Sequence, residues 1–248
     1  KFNMGEIVNG VNMEDLQNEN LRLLKEFIGV CEKYDIWYVL AYGTQLGAVR
    51  HKGLIPWDRD VDVSVRLPDI PKIRNAMNME LSSNSQYCAR GVTKKYSASH
   101  DIIESKKIKG AHLDIYPLIG APKTVSEQTK FTCMTCFLRK LLKSKYVDIN
   151  MCLPKNKKYV RIAKIIDFFI SDSCIDKIYV SIETRYPFES SDYLVPIANE
   201  GMARECIKKA IYEERIKTQF EDFEAYIPKN YDRYLTQMYG DYMTPVKY

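Results

Sequence analysis

The stretch GLIPWDRDVDVSV, residues Gly53 to Val65, places Asp58, Asp60 and Asp62 at every second position of what otherwise reads as a buried strand. Successive side chains of a strand point to opposite faces, so Val61, Val63 and Val65 share one face and the three aspartates the other. Carboxylates two residues apart stand only ~6.6 Å apart along the backbone, and like charges held that close repel. A bound cation removes the repulsion. An all-oxygen donor set suits Mg²⁺ or Mn²⁺ better than zinc. The plainer reading is an open edge strand with surface aspartates, which strands disfavour. A second run, AHLDIYPLIG from Ala111 to Gly120, alternates Leu113 and Ile115 with Asp114. If the two strands are neighbours, Asp114 supplies another ligand from ~4.8 Å away.

Around this feature the chain alternates helical and strand-like segments. Leu16, Leu23, Leu24, Phe27, Ile28 and Cys31 recur at helical spacing, which predicts a helix from Met13 to about Tyr34. Ile36 to Leu40 reads as a strand. A short helix follows with Thr44 as its N-cap and Gly53 near its end. Ile70 to Leu81 reads as a helix, Leu138 to Tyr146 and Lys158 to Ile182 as helices, Phe220 to Ile227 as a strand, and Pro228 to Tyr239 as a closing helix. Tyr96 and His100 fall in an irregular polar region between Gln86 and Lys109. The expectation is one α/β (α+β) domain over 1–248, with a mixed sheet flanked by helices, a core over about 13–120 and 192–248, and a helical basic insertion over about 123–190.

Charge is concentrated in that insertion. Eleven Lys and Arg face two acids between Lys123 and Lys164, while the whole chain carries only +5, so the remainder is net acidic. Interleaved with Phe131, Phe137, Leu138, Leu141, Leu142 and Tyr146, the segment fits either contact with an anionic membrane surface or a helix with a solvated basic face. No apolar run reaches the ~20 residues of a spanning helix. Lys1-Phe2-Asn3-Met4 lacks the apolar stretch of a signal peptide. Seven scattered cysteines suit reduced thiols in a cytoplasmic protein.

Gly43-Thr44 opens a helix directly after a strand, and helix starts present free N–H groups and a positive dipole to phosphate. Arg50, His51 and Lys52 offer cations nearby, or serve as a solvated helix end. Cys133 and Cys136 have metal-ligand spacing without a second pair. His112 shares a face with Asp114 by alternation. Tyr231, Tyr234, Tyr239 and Tyr242 either stack a base or sugar or, as their density favours, pack a helix.

YVLAYGTQLGAVRHKGLIPWDRDVDVSV is similar to the central motif of the LicD family, relatives of phosphocholine transferases that include the fukutin-related proteins. HLDIYPLIG resembles the family's second motif, and IPKNYDRYLTQMYGDYM its C-terminal signature. The resemblance implies a nucleotidyltransferase-like fold. It implies Asp60, Asp62 and Asp114 as metal ligands and catalytic residues, Asp58 as auxiliary, and Gly43, Thr44, Gln45, Arg50, His51 and Lys52 as substrate-binding residues. Arg59 stands where family members often carry a fourth acid. The implied reaction moves phosphocholine or a similar group from CDP-choline or a CDP-alditol to a glycan or polyprenyl-linked acceptor, releasing CMP, at the cytoplasmic side and without nucleic acid. The alternatives are nucleoside monophosphate transfer and a non-catalytic nucleic-acid or membrane-binding protein.

Overall fold

The structure, a computed structural model, describes residues 7–8, 11–94, 96, 98–146, 149 and 154–245. The first residues, 1–6, and Cys152 lie outside the described residues, and with them the readings made there.

A short antiparallel pair, β1 (Ile7–Val8) and β2 (Val11–Asn12), leads into α1 (Met13–Lys33). The Asn12 side chain caps α1 by accepting from the Glu14 N–H at 2.9 Å, and Glu14 and Asp15 sit against the positive end of the helix. Its periodic apolar residues are all buried. Then follow β3 (Tyr38–Leu40), α2 (Tyr42–Arg50), β4 (Val61–Arg66), α3 (Ile70–Glu80), β5 (Ser85–Cys88), β6 (Asp101–Ser105) and the long β7 (His112–Ala121). Three helices, α4 (Val125–Tyr146), α5 (Pro154–Phe169) and α6 (Asp172–Glu183), intervene before β8 (Tyr193–Pro196) and β9 (Ile207–Lys208). The hairpin β10 (Arg215–Phe220) and β11 (Phe223–Pro228) precedes α7 (Tyr231–Tyr239), which stops at Gly240 with φ 71°, a conformation glycine adopts without penalty.

The sheet is mixed, as expected from the sequence, and has seven strands. Its main path is β3-β4-β7-β6-β5, with β8 on the far half of β7 and β9 beside β8. Only β4 and β7 run parallel. Val61, Val63, Val65, Leu113 and Ile115 pack on one face against α1, α3 and the hairpin's Phe220, Ala225 and Ile227. Val39 and Leu118 pack on the other, with Leu46 of α2 and Tyr234, Leu235 and Met238 of α7. Phe131, Leu142, Ile175, Tyr179 and Ile182 of α4 and α6 cover Ile119, Val195 and Ile197.

Several boundaries differ from the sequence expectation for identifiable reasons. β4 begins at Val61, because the Asp58 and Arg59 carbonyls accept from the α1 side chains of Gln17 and Asn20 instead of a neighbouring strand. α2 is preceded by Ala41 as cap, with Thr44 inside the helix. The expected strand over 220–227 is two strands joined at Glu221, whose φ of 52° turns the chain. α4 starts earlier, where the Thr124 hydroxyl accepts from the Glu127 N–H at 3.4 Å and donates to the Glu127 carboxylate at 2.6 Å. The long helix expected after Lys158 is split by Ser171, whose side chain caps α6 by accepting from the Cys174 N–H.

Gly47 of α2 packs on the backbone of the following loop, where an added Cβ would overlap the Gly53 carbonyl oxygen. Gly47→Ala therefore loses ~1–3 kcal/mol through overpacking, despite alanine's better helix propensity. Thermal unfolding should fall by about 2–12 °C, at ~2–4 °C per kcal/mol for a chain of this size.

Candidate functional site

β4 and β7 lie side by side with Asp62 directly opposite Asp114, so both carboxylates project from one face at the start of the two parallel strands. One face of α1 fixes how the segments before them approach. Gln17 donates its side-chain amide to the Asp58 carbonyl at 2.8 Å, with longer contacts to Ile55 and Pro56. Asn20, 1% exposed, donates to the Arg59 carbonyl at 2.9 Å and accepts from the His112 N–H at 3.0 Å. A single buried amide thus ties the residue before Asp60 to the first residue of β7.

The outcome is a cluster. Ligand atoms of Asp60, His112 and Asp114 all lie within 4.8 Å of one another. The sequence reading put Asp62 in that trio, but the structure puts His112 there. Asp62 stays at the cluster's buried base, its N–H donated to the Thr44 hydroxyl at 2.8 Å. A nitrogen donor among the three shifts the preference from Mg²⁺ toward Mn²⁺.

Asp114 is the most heavily held member. Its Oδ1 is 2.9 Å from His100 Nε2, and its Oδ2 accepts from the Tyr116 hydroxyl at 3.2 Å and lies 3.6 Å from His112 Nε2. The His112 Nδ1 is 2.8 Å from the Gly110 carbonyl oxygen, which fixes the ring. Burial pushes the Asp114 carboxyl up, but the two histidines outweigh it and hold it well below the usual range. His112 is in turn raised to about 9, chiefly by its hydrogen bond to Asp114. The other two carboxylates go the opposite way. Burial pushes Asp58 up to about 7, with Asp60 adding to the effect. Burial pushes Asp62 well above its ordinary value, with repulsion from Asp60, Asp114 and Asp58 in support. Negative charge is thus packed here beyond what the surrounding protein compensates, and a divalent cation fits that deficit.

The helix start beside the cluster is shaped by the same side chains. A Cβ at Gly43 would overlap the Asp58 carboxylate, so this glycine is what lets Asp58 lie on the first turn of α2. α2 has no cap from its own N-cap residue; the Tyr42 N–H donates to the Tyr234 hydroxyl at 3.3 Å, which leaves the Gly43 and Thr44 N–H groups of the first turn to an anion. Thr44 is buried and its hydroxyl is engaged with β4, which makes it a strut at this turn. Gln45 is fully buried and its amide makes no hydrogen bond. Arg50 donates to the Tyr242 carbonyl at 2.8 Å and lies 3.4 Å from His51 Nδ1. His51, lowered by burial and by Arg50, meets the Trp57 ring edge-on at 6.2 Å. Lys52 is exposed and adopts φ 61°.

Sequence reasoning left His100 and Tyr96 unassigned. The Tyr96 hydroxyl holds the His100 carbonyl at 2.7 Å, and His100 stacks on Tyr116 at 4.5 Å. No local spacing announces this, since the loop reaches the site only through the fold. Asn20 and Gln17 were equally invisible as polar residues in an amphipathic helix, although their i, i+3 spacing puts them on one face. Tyr234 and Tyr242 have packing roles: the former is 3% exposed, and the latter's hydroxyl bonds Asp232 at 2.8 Å. Cys136 is buried and Cys133 exposed, both as free thiols.

Carboxylates converging from two central parallel strands, beside an open helix start, define a nucleotidyltransferase-type domain. Residues 35–156 match the family model described as LicD/FKTN/FKRP, nucleotidyltransferase domain. Over those residues the chain is a LicD-family domain. It is 26% identical over 245 residues to lipopolysaccharide cholinephosphotransferase LicD of Haemophilus influenzae, covering 90% of this chain and 88% of that protein. It is 31% identical over 115 residues to human ribitol 5-phosphate transferase FKRP, covering 44% of this chain and 23% of that one. Among solved structures, antibiotic-resistance factor ANT(2'')-Ia overlays at a TM-score of 0.30 with 9% identity, covering 68% of this chain and 94% of that one, a likeness too loose to bear on the fold.

Asn20→Leu removes the amide while keeping its bulk, stranding the Arg59 carbonyl and the His112 N–H. Each costs ~1–3 kcal/mol when buried unsatisfied, which denaturant unfolding will read as a lower midpoint at unchanged slope. The cluster's affinity for Mn²⁺ should rise about tenfold per pH unit between pH 6 and 8, because His112 must shed the proton it otherwise keeps up to about 9. Calorimetric titration at pH 6, 7 and 8 measures that slope.

Proposed function

We propose that this chain is a metal-dependent phosphotransferase. It passes a phosphoryl-alcohol group, phosphocholine or a similar alditol phosphate, from a CDP-activated donor to a hydroxyl of a glycan or its lipid-linked precursor, and CMP leaves. The observation that supports the reading most is the convergence of Asp60, His112 and Asp114 within 4.8 Å, in a chain whose relatives are a cholinephosphotransferase and a ribitol phosphate transferase.

In this reading Asp60, Asp114 and His112 hold Mg²⁺ or Mn²⁺, with Asp62 at the buried base. When bound, the ion supplies Lewis-acid neutralisation of pyrophosphate charge. The chain's own groups do the rest. The first turn of α2 directs N–H groups at a donor phosphate from a position fixed by Gly43 and by the Thr44 strut. The reading also keeps Lys52, exposed on the loop beyond the far end of α2, as a donor-binding cation. His100 and Tyr116 keep Asp114 ionised and oriented. Asp58, raised to about 7 by burial and Asp60, is suited to accept the proton of the attacking hydroxyl near neutral pH.

With CDP-choline, CDP-ribitol and CDP-glycerol offered in turn alongside a glycan acceptor, one should yield CMP in amounts that match modified acceptor and vanish with chelator. Asp60→Asn and Asp114→Asn should reduce that yield to background with an unchanged circular dichroism spectrum. Undiminished CMP release by either variant removes the assignment, and pyrophosphate release from nucleoside triphosphates would favour nucleotidyl transfer instead.

A further inference from the structure

The insertion between β7 and β8 carries an apolar stripe that faces water. On α5, Lys158, Arg161, Ile162, Ile165 and Phe169 are exposed. Their spacings of three and four residues put them along one side of a helix. Ile162 is 49% and Ile165 63% exposed, and α4 adds Phe137 at 61% with Lys130, Lys140 and Lys143 also exposed. Large apolar side chains grouped in solvent mark a contact surface more often than chance exposure.

Charge says what that contact is. Over α5, Pro154 to Phe169, the sequence has five basic residues, Lys155, Lys157, Lys158, Arg161 and Lys164, against one acid, Asp167. Nucleic acid would draw on the charge and leave the isoleucines wet. An anionic bilayer uses both, because such a helix lies in the interface with its apolar side chains below the headgroups and its lysine stems reaching back to the phosphates. Among the described residues, no helix is long and apolar enough to cross a membrane, so the contact is peripheral.

We infer that α5, supported by α4, docks the protein on an anionic lipid surface. The docking stands independently of the proposed transfer reaction, and it would bring the acidic cleft to acceptors carried on lipid. Sedimentation of the full chain with vesicles tests it, comparing phosphatidylcholine alone with phosphatidylcholine containing phosphatidylglycerol. The parent should co-sediment with the anionic vesicles alone and be released by salt. Ile162→Ser with Ile165→Ser, and separately Lys158→Glu with Arg161→Glu, should each weaken partitioning at least ~tenfold at an unchanged melting temperature, since all four side chains point to water. Equal recovery with both vesicle types, or double variants that sediment like the parent, overturns the inference. So does a parent dimer that the serine variant renders monomeric, or a basic stripe that retains duplex DNA in preference to vesicles. CMP release, measured on the same preparations, reports on the transfer reaction separately.

Discussion

The constraint on which the structure turns is the mutual repulsion of four carboxylates gathered at the start of β4 and β7. Parallel register places Asp62 opposite Asp114, and the turn at Ile55–Asp58 brings Asp58 and Asp60 in beside them. Water would normally screen such charges, but Asp62 and Asp114 are 7% and 8% exposed. The fold therefore works against its own electrostatics here. His100 and His112 offset one carboxylate, while burial first and the neighbouring aspartates second raise the proton affinity of Asp58 and Asp62. A site that binds protons this strongly is a site that gains from a divalent cation.

Holding that arrangement requires support from parts of the chain far away in sequence. α1 fixes the aspartate loop from one side through Gln17 and Asn20. The hairpin holds its near end from the other: the Glu221 N–H donates to the Lys52 carbonyl at 2.8 Å, and the Glu221 carboxylate accepts from the Leu54 N–H at 2.8 Å. A Cβ at Gly53 would overlap that carboxylate, which is why the loop carries glycine there.

The sequence made the strand pair and its aspartates legible because alternation is a local property and charge on a buried strand is conspicuous. Alternation put His112 on the face of Asp114, but its place in the cluster ahead of Asp62 depends on how the segment before β4 approaches β7. What escaped was everything that depends on tertiary approach. His100 arrives on a loop, and Asn20 acts through a face of α1 that periodicity marks only as polar. Thr44 looked like a cap because Thr caps helices, yet its hydroxyl is taken by Asp62. The chain's turn into α2 is made instead by Tyr42, at φ 44°.

That Tyr42 conformation links the C-terminal segment to the site. A bulky residue at positive φ costs of order 1–3 kcal/mol and persists only where its surroundings over-determine it. Here the Tyr42 N–H donates to the Tyr234 hydroxyl of α7 at 3.3 Å, its own hydroxyl donates to Glu205 at 3.2 Å, and its ring meets Tyr116 edge-on at 5.3 Å. Tyr116 in turn donates to Asp114. The strained residue thus lies between the turn that opens α2 and the acid of β7, with α7 holding it in place. Arg50, tied to the Tyr242 carbonyl, anchors the other end of α2 to the same C-terminal segment. The tyrosine-rich C-terminal signature then has a physical reason to accompany the central motif: it sets the angle at which α2 presents its first turn to the carboxylates.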